Sequence, residues 1–299
     1  YTGWYTLSLH DALPISHGFL VDGEGKKISK KLGNSFGVKE LVEQYGADVL
    51  RLWVSSENYR QDIRLSPEIL TRMQDAYRRI RNTFRYILGN LNDFSAKDAV
   101  PFDQLEEVDR WVLHRLQLLR ERVLKAYAEY EYHVVYHAVH NFCSVDLSSF
   151  YLDVLKDRLY TFAANSRERR AAQTAIATVL VDLLKLVAPI LVYTCEEAWA
   201  CLPAHLRTSD SVHLAQFPEA RPEHRLVGET IDSWDELLRV RAVVSRVLEE
   251  KRREGMIGSS LEASVTLTPG DKKTLDALAR HEDQRSEEHT SELQSHHPI

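Results

Sequence analysis

Apolar side chains return at Met73, Tyr77, Ile80, Phe84, Ile87 and Leu91, spaced four and three residues apart in alternation. That period draws one stripe along an α-helix; a strand, with its period of two, would scatter the same residues over both faces. Ahead of the stripe stands Ser66-Pro67-Glu68, a hydroxyl for the N-cap and a proline for the first helical position. The same period predicts a helix over Asp103–Tyr130, with Val108, Trp111, Val112, Arg115, Leu118, Leu119 and Val123 inward. It predicts a second over Tyr132–Leu155, with Val135, Val139, Phe142, Val145, Phe150, Leu152 and Leu155 inward. A third runs over Arg167–Cys201, where Pro189 predicts a kink near residues 185–188. Long helices joined by short connections pack as an antiparallel bundle, so the chain is expected to be mainly α.

Flanking segments read less uniformly. Val38–Ser56 has a helical pattern, with Leu41, Val42, Tyr45, Val49, Leu50, Trp53 and Val54 as candidate core. A connector over 203–227 leads to a helix over Ile231–Arg253. Ala263–Leu267 alternates like a short strand, and Pro269-Gly-Asp opens a last short helix. The two ends fit none of this. Thr6–Ile15 (TLSLHDALPI) back-translates onto one strand of a common sequencing-library adapter, and Arg285–Ser295 (RSEEHTSELQS) onto the opposite one. Residues 1–16 and 285–299 are therefore set aside as adapter-like, and the remainder is expected to be part of a longer protein. The plain alternative for the second stretch is a polar, disordered tail.

Composition limits the function classes. The chain has 299 residues and a net charge of −6, which excludes a uniformly basic nucleic-acid binder but not a local basic face. Its three cysteines are too few for a disulfide framework and point to a reducing, cytoplasmic compartment. No apolar run approaches the ~20 residues of a membrane helix, so no membrane partner is expected.

Two clusters could carry chemistry. Lys26, Lys27, Lys30 and Lys31 surround Ile28 and Ser29 on a glycine-flanked loop. Ammonium groups there can follow phosphate charge as it develops, although a solvated basic turn is the commoner explanation on composition alone. Arg78, Arg81 and Arg85 share one helix face beside Arg79, and Arg239, Arg246, Lys251, Arg252 and Arg253 crowd a later helix among Glu249, Glu250 and Glu254. Such faces suit an RNA backbone, or serve as a salt-bridged solvent surface. Cys143, Cys195 and Cys201 read as buried small hydrophobes rather than zinc ligands. His133, His137 and His140 have a spacing that could suit a metal, but packing residues interleave them.

Lys27-Ile-Ser-Lys-Lys31, followed by Leu-Gly-Asn, resembles the KMSKS signature loop of class I aminoacyl-tRNA synthetases. Tyr45-Gly-Ala-Asp-Val-Leu-Arg-Leu-Trp-Val54, Ala76-Tyr-Arg-Arg-Ile-Arg-Asn-Thr-Phe-Arg85, Leu88-Gly-Asn-Leu-Asn92 and Ile257-Gly-Ser-Ser-Leu-Glu-Ala263 resemble the isoleucyl branch of that family. The ordered set spans about 17–268. The resemblance implies that 17–65 ends a Rossmann-like α/β catalytic domain, that 66–220 is a helical anticodon-binding domain, and that 221–284 is a C-terminal helix with a short α/β junction. It implies an enzyme joining isoleucine to ATP, with Mg2+, and passing the aminoacyl group to tRNA(Ile), as a monomer. Lys27 and Lys30 match the lysines that hold the ATP phosphates, Lys30 most directly, and Ser29 matches the serine that shapes the loop. Arg78, Arg81 and Arg85 are the candidate tRNA contacts. Ile28 replaces the usual Met, and Lys31 the last Ser. The HIGH-like motif, the isoleucine pocket and the editing domain are not within these residues. The family's zinc-bearing cysteine-rich end would fall beyond 284, so the three cysteines are not assigned to it. The alternatives are a non-catalytic helical tRNA-binding module and a helical scaffold without RNA.

Overall fold

The computed structural model describes residues 18–29, 37–258, 262–268 and 270–281. The adapter-like stretches 1–16 and 285–299 lie outside the described residues, as do Lys30 and Lys31. Near the start, β1 (Leu20–Asp22) and β2 (Ile63–Leu65) pair in parallel, with Leu20 opposite Ile63 and Asp22 opposite Leu65. Parallel strands need a crossover, and this one is helical: α1 (Val38–Tyr45) and α2 (Ala47–Ser56). The pattern over 38–56 predicts one helix, but Gly46 divides it, with φ at +90°, a conformation that a side chain would strain. The break turns Val42 and Val54 outward, so neither joins the core expected of them.

The bundle begins with α3 (Pro67–Gly89), where the Ser66 hydroxyl accepts from the Ile69 N–H at 3.3 Å. Ile80, Phe84, Ile87 and Leu91 of the predicted stripe are fully buried. Next come α4 (Glu107–Ala128) and α5 (Tyr132–Asn141). Tyr132–Leu155 is not one α-helix, because Phe142–Tyr151 forms a ten-residue π-helical segment before the short α6 (Leu152–Val154) and α7 (Lys156–Tyr160). The wider π turn brings residues four apart into line. Phe142, Asp146 and Phe150 thus point inward with Cys143, Leu147 and Tyr151, while Val145, expected in the core, is 52% exposed. Proline does more than kink the next stretch. It separates α8 (Arg167–Val187) from α9 (Val192–Ala200). Then α10 (Glu229–Arg253) and α11 (Lys272–Arg280) close the described chain. The segment 263–267 has no strand partner among the described residues, yet Ala263, Val265 and Leu267 pack against the main core in the predicted alternation.

At the centre lies α4. Trp111 is fully buried and stacks on Trp234 of α10 with ring centroids 5.6 Å apart, and the Trp234 indole N–H donates to Glu107 at 2.9 Å. Leu118, expected inside, stands at the surface, and Arg115 is partly exposed while its guanidinium reaches the buried Asp146 at 3.3 Å. Two buried ion pairs fix the helix. Arg120 pairs with Asp182 of α8. Arg158 of α7 donates to both oxygens of Asp109, at 3.0 and 2.6 Å, and also to the Glu168 carbonyl at 2.8 Å. The Tyr151 hydroxyl donates to the same carboxylate at 2.7 Å, and burial together with the Asp109 charge holds its pKa well above the usual phenol range.

Because Arg158 is 3% exposed and Asp109 fully buried, removing one partner strands the other charge in the core. Asp109→Ala should therefore cost on the order of 3–5 kcal/mol in urea unfolding, whereas Asp109→Leu combined with Arg158→Met should cost much less. Equal losses in the two variants would contradict this account of the pair.

Candidate functional site

The lysine loop is built from a carboxylate. At the end of β1, Asp22 Oδ1 accepts the backbone N–H groups of Glu24 and Lys26 at 3.0 and 2.8 Å, and the Asp22 N–H donates to the Lys26 carbonyl at 2.8 Å. Gly25, at φ +84°, makes the turn. The returning chain bridges Val21 with Lys27 in antiparallel fashion. Lys27 is exposed, Ser29 is half-buried, and Ile28 packs against a small core of Leu41, Trp53, Leu65 and Leu70. That contact accounts for an apolar residue between two charged ones, since Ile28 ties a polar loop to the module beneath it. Lys26 pairs with Glu24 at 2.7 Å on the exposed rim, a contact that adds little stability. Lys30, the lysine singled out by the sequence, lies outside the described residues.

Two residues whose roles the sequence left unread join this module to the bundle. Asp48, buried on α2, receives the Thr194 N–H at 2.7 Å and the Thr194 hydroxyl at 2.6 Å. The Tyr193 N–H approaches its other oxygen at 3.4 Å, and the Tyr77 hydroxyl lies 2.9 Å from that of Thr194. One turn on, Arg51 donates to the carbonyls of Pro189 and Ile190 at 2.7 and 2.8 Å. The break between α8 and α9 exposes unpaired N–H groups on one side and unpaired carbonyls on the other. The carboxylate meets the positive end and the guanidinium the negative end, which suits both helix dipoles. The signal in the sequence was an Asp and an Arg three apart within an otherwise apolar helix.

The arginine face of α3 is partly engaged. Arg78 pairs with Asp75 at 3.1 Å, and Arg81 lies 3.6 Å from Glu197, while Arg85 is exposed with no ion pair among the described residues. Arg78 begins about 16 Å along the helix from Pro67, so these arginines are not gathered with the lysine loop. On α10, Arg239 pairs with Glu236, Lys251 with Glu254 at 2.8 Å and Arg252 with Glu249 at 2.5 Å, which is the salt-bridged solvent face. Burial lowers the pKa of both His137 and His140. Tyr136 packs against both rings, and among the described residues no group of three or more possible ligands could hold a metal ion. Cys143 and Cys195 are buried, and burial pushes the Cys143 thiol up to about 12. Cys201 is exposed, against expectation, because it sits just past the end of α9, where Trp199 takes the inward position.

Comparison with known proteins gives two family matches. Residues 109–267 match the anticodon-binding domain of tRNA ligase, and residues 12–66 match tRNA synthetases class I (I, L, M and V). An isoleucine–tRNA ligase of Geobacter sulfurreducens is 50% identical over 254 residues, covering 85% of this chain and 27% of that protein. One from Syntrophotalea carbinolica is 51% identical over 271 residues, covering 90% of this chain and 29% of that protein. The chain thus spans less than a third of the length of these curated relatives. Among solved structures, the ternary LeuRS–tRNA–LeuAMS complex of Agrobacterium radiobacter matches with a TM-score of 0.56 at 22% identity, over 71% of this chain and 24% of that one, a likeness of fold.

If Asp48 caps α9 from outside, Asp48→Ala should quicken hydrogen exchange at the Tyr193 and Thr194 amides by roughly tenfold, in line with the ~1–2 kcal/mol that losing a helix cap costs. Exchange in the first turn of α3, capped by its own Ser66, should not change. Unaltered exchange at Thr194 would mean that the carboxylate does not hold the break.

Proposed function

This chain belongs to the family of tRNA-ligase anticodon-binding domains, and from that premise we propose that it is a segment of an isoleucine–tRNA ligase. The whole enzyme would activate isoleucine with ATP and Mg2+, release pyrophosphate, and pass the aminoacyl group to tRNA(Ile). The observation that carries this reading is the Lys27-Ile-Ser-Lys30 loop standing directly ahead of the bundle, in a chain half identical to ligases of that name. On this reading 17–65 is the end of the catalytic domain, 66–220 the anticodon-binding domain, and 221–284 the C-terminal helix and junction. The protein would work in the cytoplasm as a monomer; among the described residues no helix is long and apolar enough to cross a membrane.

The chemistry assigned to the loop is electrostatic. As pyrophosphate leaves, negative charge builds on the phosphate oxygens. Lys27 and Lys30 meet that charge more strongly than they meet ground-state ATP, which accelerates the step rather than merely tightening binding. Ser29 shapes the loop that carries them. The apolar anchor at Ile28 holds the loop base, so Lys27 next to it is carried on a fixed support. Arg78, Arg81 and Arg85 present cations to the tRNA, and Arg78 and Arg81 exchange a carboxylate partner for a phosphate when they do so.

In the full-length ligase, Lys30→Ala should slow isoleucine-dependent pyrophosphate exchange by about a hundredfold while changing ATP affinity little. Lys31→Ser should be milder, since Lys27 and Lys30 remain. Near-parental exchange by Lys30→Ala, with collapse in Lys31→Ser, would show that the loop lysines are assigned one residue out of place.

A further inference from the structure

The hairpin that leads into Lys27 is closed by a single residue. Asp22 ends β1, and its carbonyl accepts the Gly25 N–H at 3.0 Å, which turns the chain over 22–25. Gly25, at φ +84°, adds the left-handed residue that completes a short hairpin loop of this kind. The turn engages the Asp22 carbonyl and leaves the Glu24 and Lys26 N–H groups to be met by a side chain. Asp22 Oδ1 accepts both, at 3.0 and 2.8 Å, as an aspartate at the head of a turn is suited to do. The Asp22 N–H donates to the Lys26 carbonyl at 2.8 Å, so both backbone groups of Lys26 are bound to Asp22. The bridge between Val21 and Lys27 follows directly. On the other side of Lys27, Ile28 is seated against Leu41, Trp53, Leu65 and Leu70. Lys27 therefore stands between two fixed neighbours, and Asp22 holds one of them.

We propose that Asp22 is a positioning residue for adenylate formation, acting through Lys27, an inference that rests on the reading of the chain as part of an isoleucine–tRNA ligase. As pyrophosphate leaves, a cation helps only as far as it already stands where the charge will appear. A lysine stem is flexible, so the placement of its ammonium depends on how firmly the backbone beneath it is held. Loss of the Asp22 carboxylate leaves the Lys26 N–H without that acceptor and loosens the edge on which Lys27 meets Val21. The loss is felt in the transition state more than in ground-state ATP binding, and so in kcat rather than in KM. What the turn requires from Asp22 is an acceptor oxygen and not a charge, because the two Oδ1 contacts that close it are to backbone N–H groups. An asparagine carbonyl accepts the same two bonds. A carboxylate that acted by its charge, on an ammonium or on an ATP-bound metal ion, could not be replaced in that way.

The test is isoleucine-dependent pyrophosphate exchange by the full-length ligase, with kcat and the ATP KM measured for Asp22→Ala, Asp22→Asn, Lys27→Ala and the double alanine variant. Asp22→Ala should lower kcat by about tenfold, as the loss of one or two hydrogen bonds would, and leave KM within about twofold of the parent. Asp22→Asn should run close to the parent rate. The double variant should be no slower than Lys27→Ala alone, because a support has no effect once the group it supports is gone. A merely structural role would instead multiply the two losses, since misfolding does not depend on Lys27. In a parent that exchanges pyrophosphate normally, four results overturn the Asp22 role alone: Asn as slow as Ala, a double variant slower than Lys27→Ala, a change confined to KM, or an Asp22→Ala enzyme that matches the parent. A parent with no isoleucine-dependent exchange overturns the ligase reading and this inference with it.

Discussion

A helix that stops inside a protein leaves polar backbone groups with nowhere to go, and the break after Val187 is the place where this fold must answer that cost. Four residues separate the two helices: Ala188, Ile190 and Leu191 are buried against the main core, while Pro189 stands at the surface. The answer comes from the strand module rather than from the bundle. Asp48 closes the open N–H end and Arg51 the open carbonyl end, from a single turn of α2. Leu52, a member of the main core, supplies adhesion to the bundle, but apolar contacts are non-directional. Hydrogen bonds to both sides of a break fix orientation. The module that carries the lysine loop is thereby set against the helices that carry the family's RNA-binding domain.

The interior follows the same rule of charge placed where backbone or opposite charge awaits it. Helix α4 meets α5, α7, α8, α10 and the π-helical segment, and two of its buried charges are paired in specific directions: Asp109 with Arg158 and Tyr151, Arg120 with Asp182. Such pairs contribute less net stability than an equally large apolar contact would, because each charge has lost its water. Their effect here is positional. Arg158 links α7, α4 and the start of α8 through one guanidinium, so the π-helical segment between α5 and α6 is held at its far end.

Much of this was legible before any coordinates. Buried side chains at Ile80, Phe84, Ile87 and Leu91, and from Ile176 through Leu191, follow directly from a period that only a helix satisfies. What escaped was whatever a regular period cannot encode. The φ of Gly46 divides a helix without disturbing its hydrophobic pattern. The π segment moves Val145 out and Asp146 in because its turns are wider than the template assumed. Charge clusters carry the same ambiguity in another form. Arg78, Arg81 and Arg85 share a face by spacing on one helix, as do Arg72 and Arg79, whereas Arg64 joins Arg72 and Arg79 only when β2 folds back beside α3. The lysine loop was readable because it is contiguous, and the clamp was not, because its partners at Pro189 and Thr194 are well over a hundred residues away.

The claim on which the rest depends is that Asp48 and Arg51 hold the strand module and the bundle as one rigid body. Spin labels at Gln44 on α1 and Ala200 on α9, both exposed, report that relation directly in a Cys201→Ser background. Pulsed dipolar distance measurement should give one narrow distribution in the parent and a broad one when Asp48→Ala and Arg51→Ala are combined. A parent distribution that is already broad, or one that the two substitutions leave unchanged, would contradict the account.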